Sequence, residues 1–271
     1  METDGTLACK SCGAVIERVS FLGMTMTRYC PKCQVQRLAA YEAEEAIKRQ
    51  AALLEQRRQW LMYSRRGIPP RYRSYGWEDV RYDHGGEGNR KLVSRLREWA
   101  EGFPVDTPPT GYPSVLLASE SNGVGKTLLS CLILRTIVQR YEILGREQSP
   151  YQLWTSGAIR LRLRAAERYG SAETPEDVYR ELASLWLLII DDVGKESPYG
   201  AEISWLQTMY HELIDRRYGE QLPTIYSSNL TAAPWVAGGS SLVDLMGRAP
   251  VSRLVESVGG VIHIIEGEDR R

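Results

Sequence analysis

The sequence predicts an α/β fold behind a small cysteine-rich module, and three observations carry that reading. Short apolar runs alternate with helix-forming stretches along most of the chain. One of those runs opens into a glycine-containing loop that closes on Lys126-Thr127, and another ends in Asp191-Asp192. Ahead of them lie two C-x-x-C pairs, followed by a stretch without Pro or Gly.

The 271 residues are enough for one large α/β domain and an appendage, and 43% hydrophobic residues suit a buried core. The sequence shows no uninterrupted apolar stretch near the ~18 residues that span a bilayer. Met1-Glu-Thr-Asp is acidic and carries no apolar run, so a cytoplasmic protein is expected. The net charge is zero but unevenly spread: residues 1–73 hold 13 Lys/Arg against 7 Asp/Glu, a local charge of +6. Zinc bound by four thiolates would lower that to about +4, so charge alone argues weakly for a nucleic-acid partner.

Cys9 and Cys12 form one pair and Cys30 and Cys33 the other. Two residues between ligands let the chain fold back so that both sulfurs reach one ion. Gly13 suits the knuckle turn and Pro31 stiffens the second pair. Ala14–Leu22 and Met24–Tyr29 read as two short strands joined at Gly23, which gives a zinc ribbon over residues 1–33. Four thiolates leave no open position, so the zinc is structural; two redox dithiols are the alternative. A helical linker follows over residues 34–66, with a loose stripe of Leu38, Tyr41, Ile47, Leu53, Leu54 and Leu61. That stripe suits a partner helix or a solvated spacer equally. Gly67, Pro69 and Pro70 end the helix, and a third domain is expected over 67–271.

Ser114–Ala118 reads as a buried strand feeding Glu120-Ser-Asn-Gly-Val-Gly-Lys-Thr127 and then a helix. This is the context of a phosphate-binding loop. Ser121, Asn122, Gly123, Val124, Gly125, Lys126, Thr127 and Leu128 are the expected ATP contacts, with Lys126 on the β/γ-phosphates and Thr127 on Mg²⁺. Glu120 stands where the usual pattern has its first glycine, and charge repulsion should turn it to solvent. Leu185–Ile190 delivers Asp191 as the second Mg²⁺ ligand and Asp192 to polarise the attacking water. Pro223–Ser228 delivers Asn229, which orients that water or merely caps a turn. Lys126, Thr127 and Asp191 should meet at two neighbouring strand ends. Near the C-terminus, Arg248 and Arg253 flank a helix and suit either a contact to a neighbouring subunit's phosphate or a surface ion pair.

Together, Gly67-Ile-Pro-Pro-Arg-Tyr-Arg73, Gly123-Val-Gly-Lys-Thr127, Leu188-Ile-Ile-Asp-Asp-Val-Gly194, Thr224-Ile-Tyr-Ser-Ser-Asn-Leu230 and Ser252-Arg-Leu254 resemble the DnaC/DnaI/IstB group of AAA+ ATPases over about residues 67–266. The cysteine module is similar in kind to that of DnaI-like helicase loaders. The resemblance implies a five-stranded parallel sheet without a C-terminal helical lid, ATP bound between subunits, and Arg253 as the arginine finger. It also implies ATP-dependent homo-oligomers, single-stranded DNA, and a replicative helicase or, in IstB-like members, a transposase on duplex DNA. Arg160, Arg164 and Arg168, four residues apart on a helix capped by Ser156, would track phosphates or form a solvated face. A nucleotide-gated adaptor with little hydrolysis is the remaining alternative, raised by Glu120 and Asp192.

Overall fold

The computed structural model describes residues 2–21, 24–25, 29–81, 86–144, 149–195, 201–234, 239–259, 262–265 and 267. The chain divides into two compact units between Leu61 and Met62.

In the first unit, β1 (Glu2–Ala8), β2 (Val15–Phe21) and β3 (Met24–Thr25) pair antiparallel in that order. β2 and β3 fall on the two expected strands, whereas β1 was not anticipated because Glu2-Thr-Asp-Gly-Thr reads as polar loop. Leu22, Gly23 and residues 26–28 lie outside the described residues. Helix α1 (Pro31–Arg65) begins three residues before Gln34, since Pro31 fits the first helical position, and it therefore takes in Cys33. Exposed i,i+4 pairs such as Lys48–Glu44 at 2.8 Å add a little support. The buried core of the β-module is Cys9, Ile16 and Cys33, too small to hold a fold by itself. Leu38, Tyr41, Ile47, Leu53, Leu54 and Leu61 are all exposed.

The second unit starts with the end of α1, where Met62 and Tyr63 are buried. It continues through α2 (Gly86–Gly102), β4 (Val115–Ala118), α3 (Lys126–Glu142), β5 (Tyr151–Thr155), α4 (Ser156–Ala166) and α5 (Pro175–Ser184). Then come β6 (Leu187–Val193), α6 (Ala201–Gly219), β7 (Thr224–Ser228), α7 (Leu242–Met246), α8 (Arg248–Ser257) and β8 (Ile262–Ile264). The sheet is five-stranded and parallel, in the order β5-β6-β7-β4-β8. Its central strands β4, β6 and β7 are buried on both faces because helices cover both. Val115, Leu117, Leu187 and Ile189 enter the core layer that includes α3, while Leu116, Leu188 and Ile190 enter the one built with α4 to α8.

Fully buried Arg217 ties the second layer together. It donates to the carbonyls of Leu182, Ala183, Leu185 and Pro223 and to Thr224 Oγ1, and burial pushes its pKa down to about 10. At the sheet's β5 edge, Leu153 N donates to Arg66 O at 2.9 Å, so the incoming chain covers that edge. Gly67 has φ +82°, and a Cβ there would lie 1.9 Å from Leu153 O. Only glycine fits without moving the strand. Gly67→Ala should therefore destabilise the second unit by at least ~2 kcal/mol. Tryptophan fluorescence in urea reads this; an unchanged midpoint would contradict the close approach.

Candidate functional site

The carboxyl ends of β4, β6 and β7 carry the chemistry. β4 and β6 are not neighbours, contrary to the expectation from sequence: β7 lies between them. The loop after β4 is long enough to reach past β7 to β6. Its turn rests on Gly123 at φ 69° and Gly125 at φ 104°, a backbone region that side chains rarely adopt. Gly125 is also the cap of α3, so the loop's N–H groups and the positive helix end converge.

Lys126 is buried, and its Nζ donates to Ser121 O at 2.9 Å. Thr127 Oγ1 donates to Asp191 Oδ2 at 2.9 Å, joining the loop to β6. On the other side of that carboxylate, Ser227 Oγ of β7 donates to Asp191 Oδ1. Asp191 is 2% exposed, and burial pushes its carboxyl above the usual range against the pull of those two hydroxyls; neighbouring Asp192 pushes the same way. A buried carboxylate beside a hydroxyl is a hard oxygen donor set, and it fits Mg²⁺.

Asp192 departs from strand geometry. Between Ile190↔Tyr226 and Val193↔Ser228 the β6–β7 register shifts by one residue, a bulge at Asp191-Asp192. Asp192 sits there at φ 61°, its N–H held by Ser227 Oγ at 3.0 Å. A non-glycine residue in that region costs of order 1–3 kcal/mol, and aspartate is among the types that tolerate it best. The bulge re-aims the Asp192 carboxylate to the same cavity that the loop lines. At the end of β7, Asn229 Nδ2 donates to Asn122 Oδ1 at 2.9 Å.

A cavity of about 840 Å³ opens over these groups. Asn122, Gly123, Val124, Gly125, Lys126, Thr127 and Leu128 line it, as do Asp192 and Asn229; Ser121 and Asp191 do not. Glu120 is exposed and absent from the lining, as repulsion requires. Residues of the segment 71–81, notably Tyr72, Tyr75 and Val80, also line it. Reasoning from sequence gave this segment no site role, and it also missed Ser227. The available signals were a tyrosine-rich entry stretch and a small hydroxyl at the end of a buried strand.

The arginines are distributed differently. Arg253 lies outside the cavity lining and ion-pairs with Asp215 of α6 at 2.9 Å, while Arg248 is exposed at the start of α8. Thr155, rather than Ser156, caps α4 through Ala158 N; Ser156 is buried against Tyr210. α4 stops at Ala166, so Arg168 falls in the following turn, where Gly170 at φ 78° turns the chain. The expected row of three on one helix is therefore only Arg160 and Arg164. Arg160 pairs with Glu202, and Arg164 pairs with Glu167 and stacks 4.0 Å from the Trp205 ring; Arg168 is exposed.

In the first unit, the sulfurs of Cys9, Cys12, Cys30 and Cys33 all lie within 4.8 Å of one another. Cys12 Sγ and Cys30 Sγ are 3.7 Å apart. A tetrahedron of ~2.3 Å Zn–S bonds has edges of about 3.8 Å, so the set fits zinc. Cys30 N–H donates to Cys9 Sγ at 3.2 Å and is the main cause of a Cys9 thiol drawn down to about 6. Such N–H···S bonds favour the thiolate that a metal needs.

No protein-family model and no curated protein matches the sequence. Solved structures do match. The DnaC helicase loader is 20% identical, with 73% of this chain and 100% of that one covered at a TM-score of 0.55. For DnaI the values are 18%, 73%, 94% and 0.51. For a candidate primosome component of Streptococcus pyogenes serotype M3 they are 17%, 78%, 98% and 0.52. The chain thus shares the α/β fold of the DnaC and DnaI structures.

Replacing Cys30, one of the four sulfurs that fit a zinc ion, should separate the two units' behaviour. Cys30→Ser should lose bound zinc by elemental analysis while nucleotide affinity changes less than about twofold. A large loss of both would show that the units do not fold independently.

Proposed function

We propose that this chain is a magnesium-dependent ATPase that loads a hexameric replicative helicase onto single-stranded DNA. The observation that carries the ATPase reading is the convergence of Lys126, Thr127, Asp191, Asp192 and Asn229 at three strand ends beneath one cavity. Those groups supply an anion cradle, a hard-cation site and a carboxylate aimed at the same space, the parts phosphoryl transfer requires. DnaC, whose fold this chain shares, is a helicase loader, and this supports the partner assignment.

In this reading the loop N–H groups and the Lys126 ammonium hold the β- and γ-phosphates. To do so Lys126 gives up its carbonyl contact with Ser121. Magnesium, when bound, neutralises charge developing on the phosphate oxygens, and Thr127 and Asp191 hold it. Asp192 accepts a hydrogen bond from the attacking water, and Asn229 orients it from the other side. Arg253 acts on the nucleotide of a neighbouring copy after leaving Asp215, which makes turnover depend on assembly. Arg168 is exposed for phosphate contacts, whereas Arg160 must first release Glu202 and Arg164 must leave Glu167. The zinc module and α1, with its exposed apolar residues, supply the helicase-docking surface.

Lys126→Ala should weaken MgATP binding by at least about 100-fold in titration calorimetry, the loss of two or more charge-assisted hydrogen bonds. Asp192→Asn should bind normally but turn over about 100-fold more slowly or worse. Binding left intact in the first variant, or turnover in the second, would overturn the roles given. Arg253→Ala should keep monomer binding and lose assembly-stimulated hydrolysis, about 1,000-fold in rate. Full stimulated hydrolysis at high concentration would exclude Arg253 and move attention to exposed Arg248. Capture of a hexameric helicase rather than a transposase by the full chain supports the loader; capture of the transposase alone contradicts it.

A further inference from the structure

β6 ends in a turn. Lys195 N donates to Asp192 O at 3.3 Å, and Gly194 adopts φ 90° between them. The turn brings the Lys195 ammonium to 2.5 Å from Asp192 Oδ2. Asp192 is the carboxylate of this turn that lines the cavity. Lys195 itself does not line the cavity. The carboxylate that faces the nucleotide space is therefore gripped by a cation from the chain's own next turn.

We propose that Lys195 is a positioning residue that acts as a brake on hydrolysis in the unassembled chain. The inference rests on Asp192 acting on the attacking water. While Oδ2 is bonded to the ammonium, that oxygen is less available to the water and the side chain is held in one rotamer. Two features make the grip releasable. The Lys195 and Asp192 side chains are 43% and 30% exposed, and an exposed pair shifts an equilibrium by a factor of only about two to five. Lys195 is also long and unbranched, so an anionic group brought in by an assembly partner competes for it directly. A partner that offers a carboxylate or phosphate near Lys195 would free Asp192 without moving the sheet.

Single-turnover hydrolysis by dilute full-length protein tests the brake, with nucleotide affinity measured on the same samples. Lys195→Ala should raise the rate about two- to fivefold with affinity unchanged, and Lys195→Arg, which keeps a cation in reach, should restore most of the restraint. A lysine that merely braced the turn would alter stability and leave the rate alone. No gain in rate for Lys195→Ala, from whatever starting value, or a fall, overturns the proposal. The Asp192→Asn/Lys195→Ala double variant separates the two layers: it should gain nothing over Asp192→Asn. If Asp192→Asn alone turns over like wild type, the assignment of Asp192 has failed and the brake fails with it.

Discussion

The Asp191 carboxylate is the point on which the site depends. It is buried at the end of β6 and is held from one side by Thr127 and from the other by Ser227. Three segments far apart in sequence are tied through two oxygens. Burying such a group is unfavourable unless it is hydrogen-bonded, and here its remaining charge calls for a cation. That demand explains why the loop after β4 must cross β7 to reach β6. It also gives Ser227, near the end of β7, its part as the hydroxyl that meets the carboxylate.

Local strain is concentrated at the same place. The bulge between Ile190 and Val193 lets two successive aspartates serve one site, which regular strand alternation would forbid. Asp192 pays with a left-handed backbone, and Ser227 steadies it through the Asp192 N–H. Ser227 thus fixes both carboxylates at once, Asp191 through its oxygen and Asp192 through its backbone. The Lys195 contact is of a different kind, exposed and weak, and suits adjustment more than construction.

Much of this was legible in the sequence because it rests on local rules. Glycines before Lys126-Thr127, an apolar run ending in acids, and paired C-x-x-C motifs each have a short-range physical cause. Strands β4, β6 and β7 were readable from apolar runs. What was not legible depends on chain segments meeting in space. Strand order separates β4 from β6, and no pattern within either strand records that. The Asp192 bulge is a register effect between β6 and β7. The row Arg160, Arg164 and Arg168 followed helical spacing, but the helix ends at Ala166, and Glu202 and Trp205 engage two of the three from α6. Polar β1 is a strand because β2 supplies its partners, which its own residues do not announce.

The function of the site requires a triphosphate seated over the Thr127–Asp191 pair. Titration calorimetry of the zinc-loaded full chain with ATP, with and without magnesium, measures this most directly. One nucleotide per chain, bound distinctly more tightly when magnesium is present, is the predicted result. Absence of binding by folded protein under either condition would contradict it.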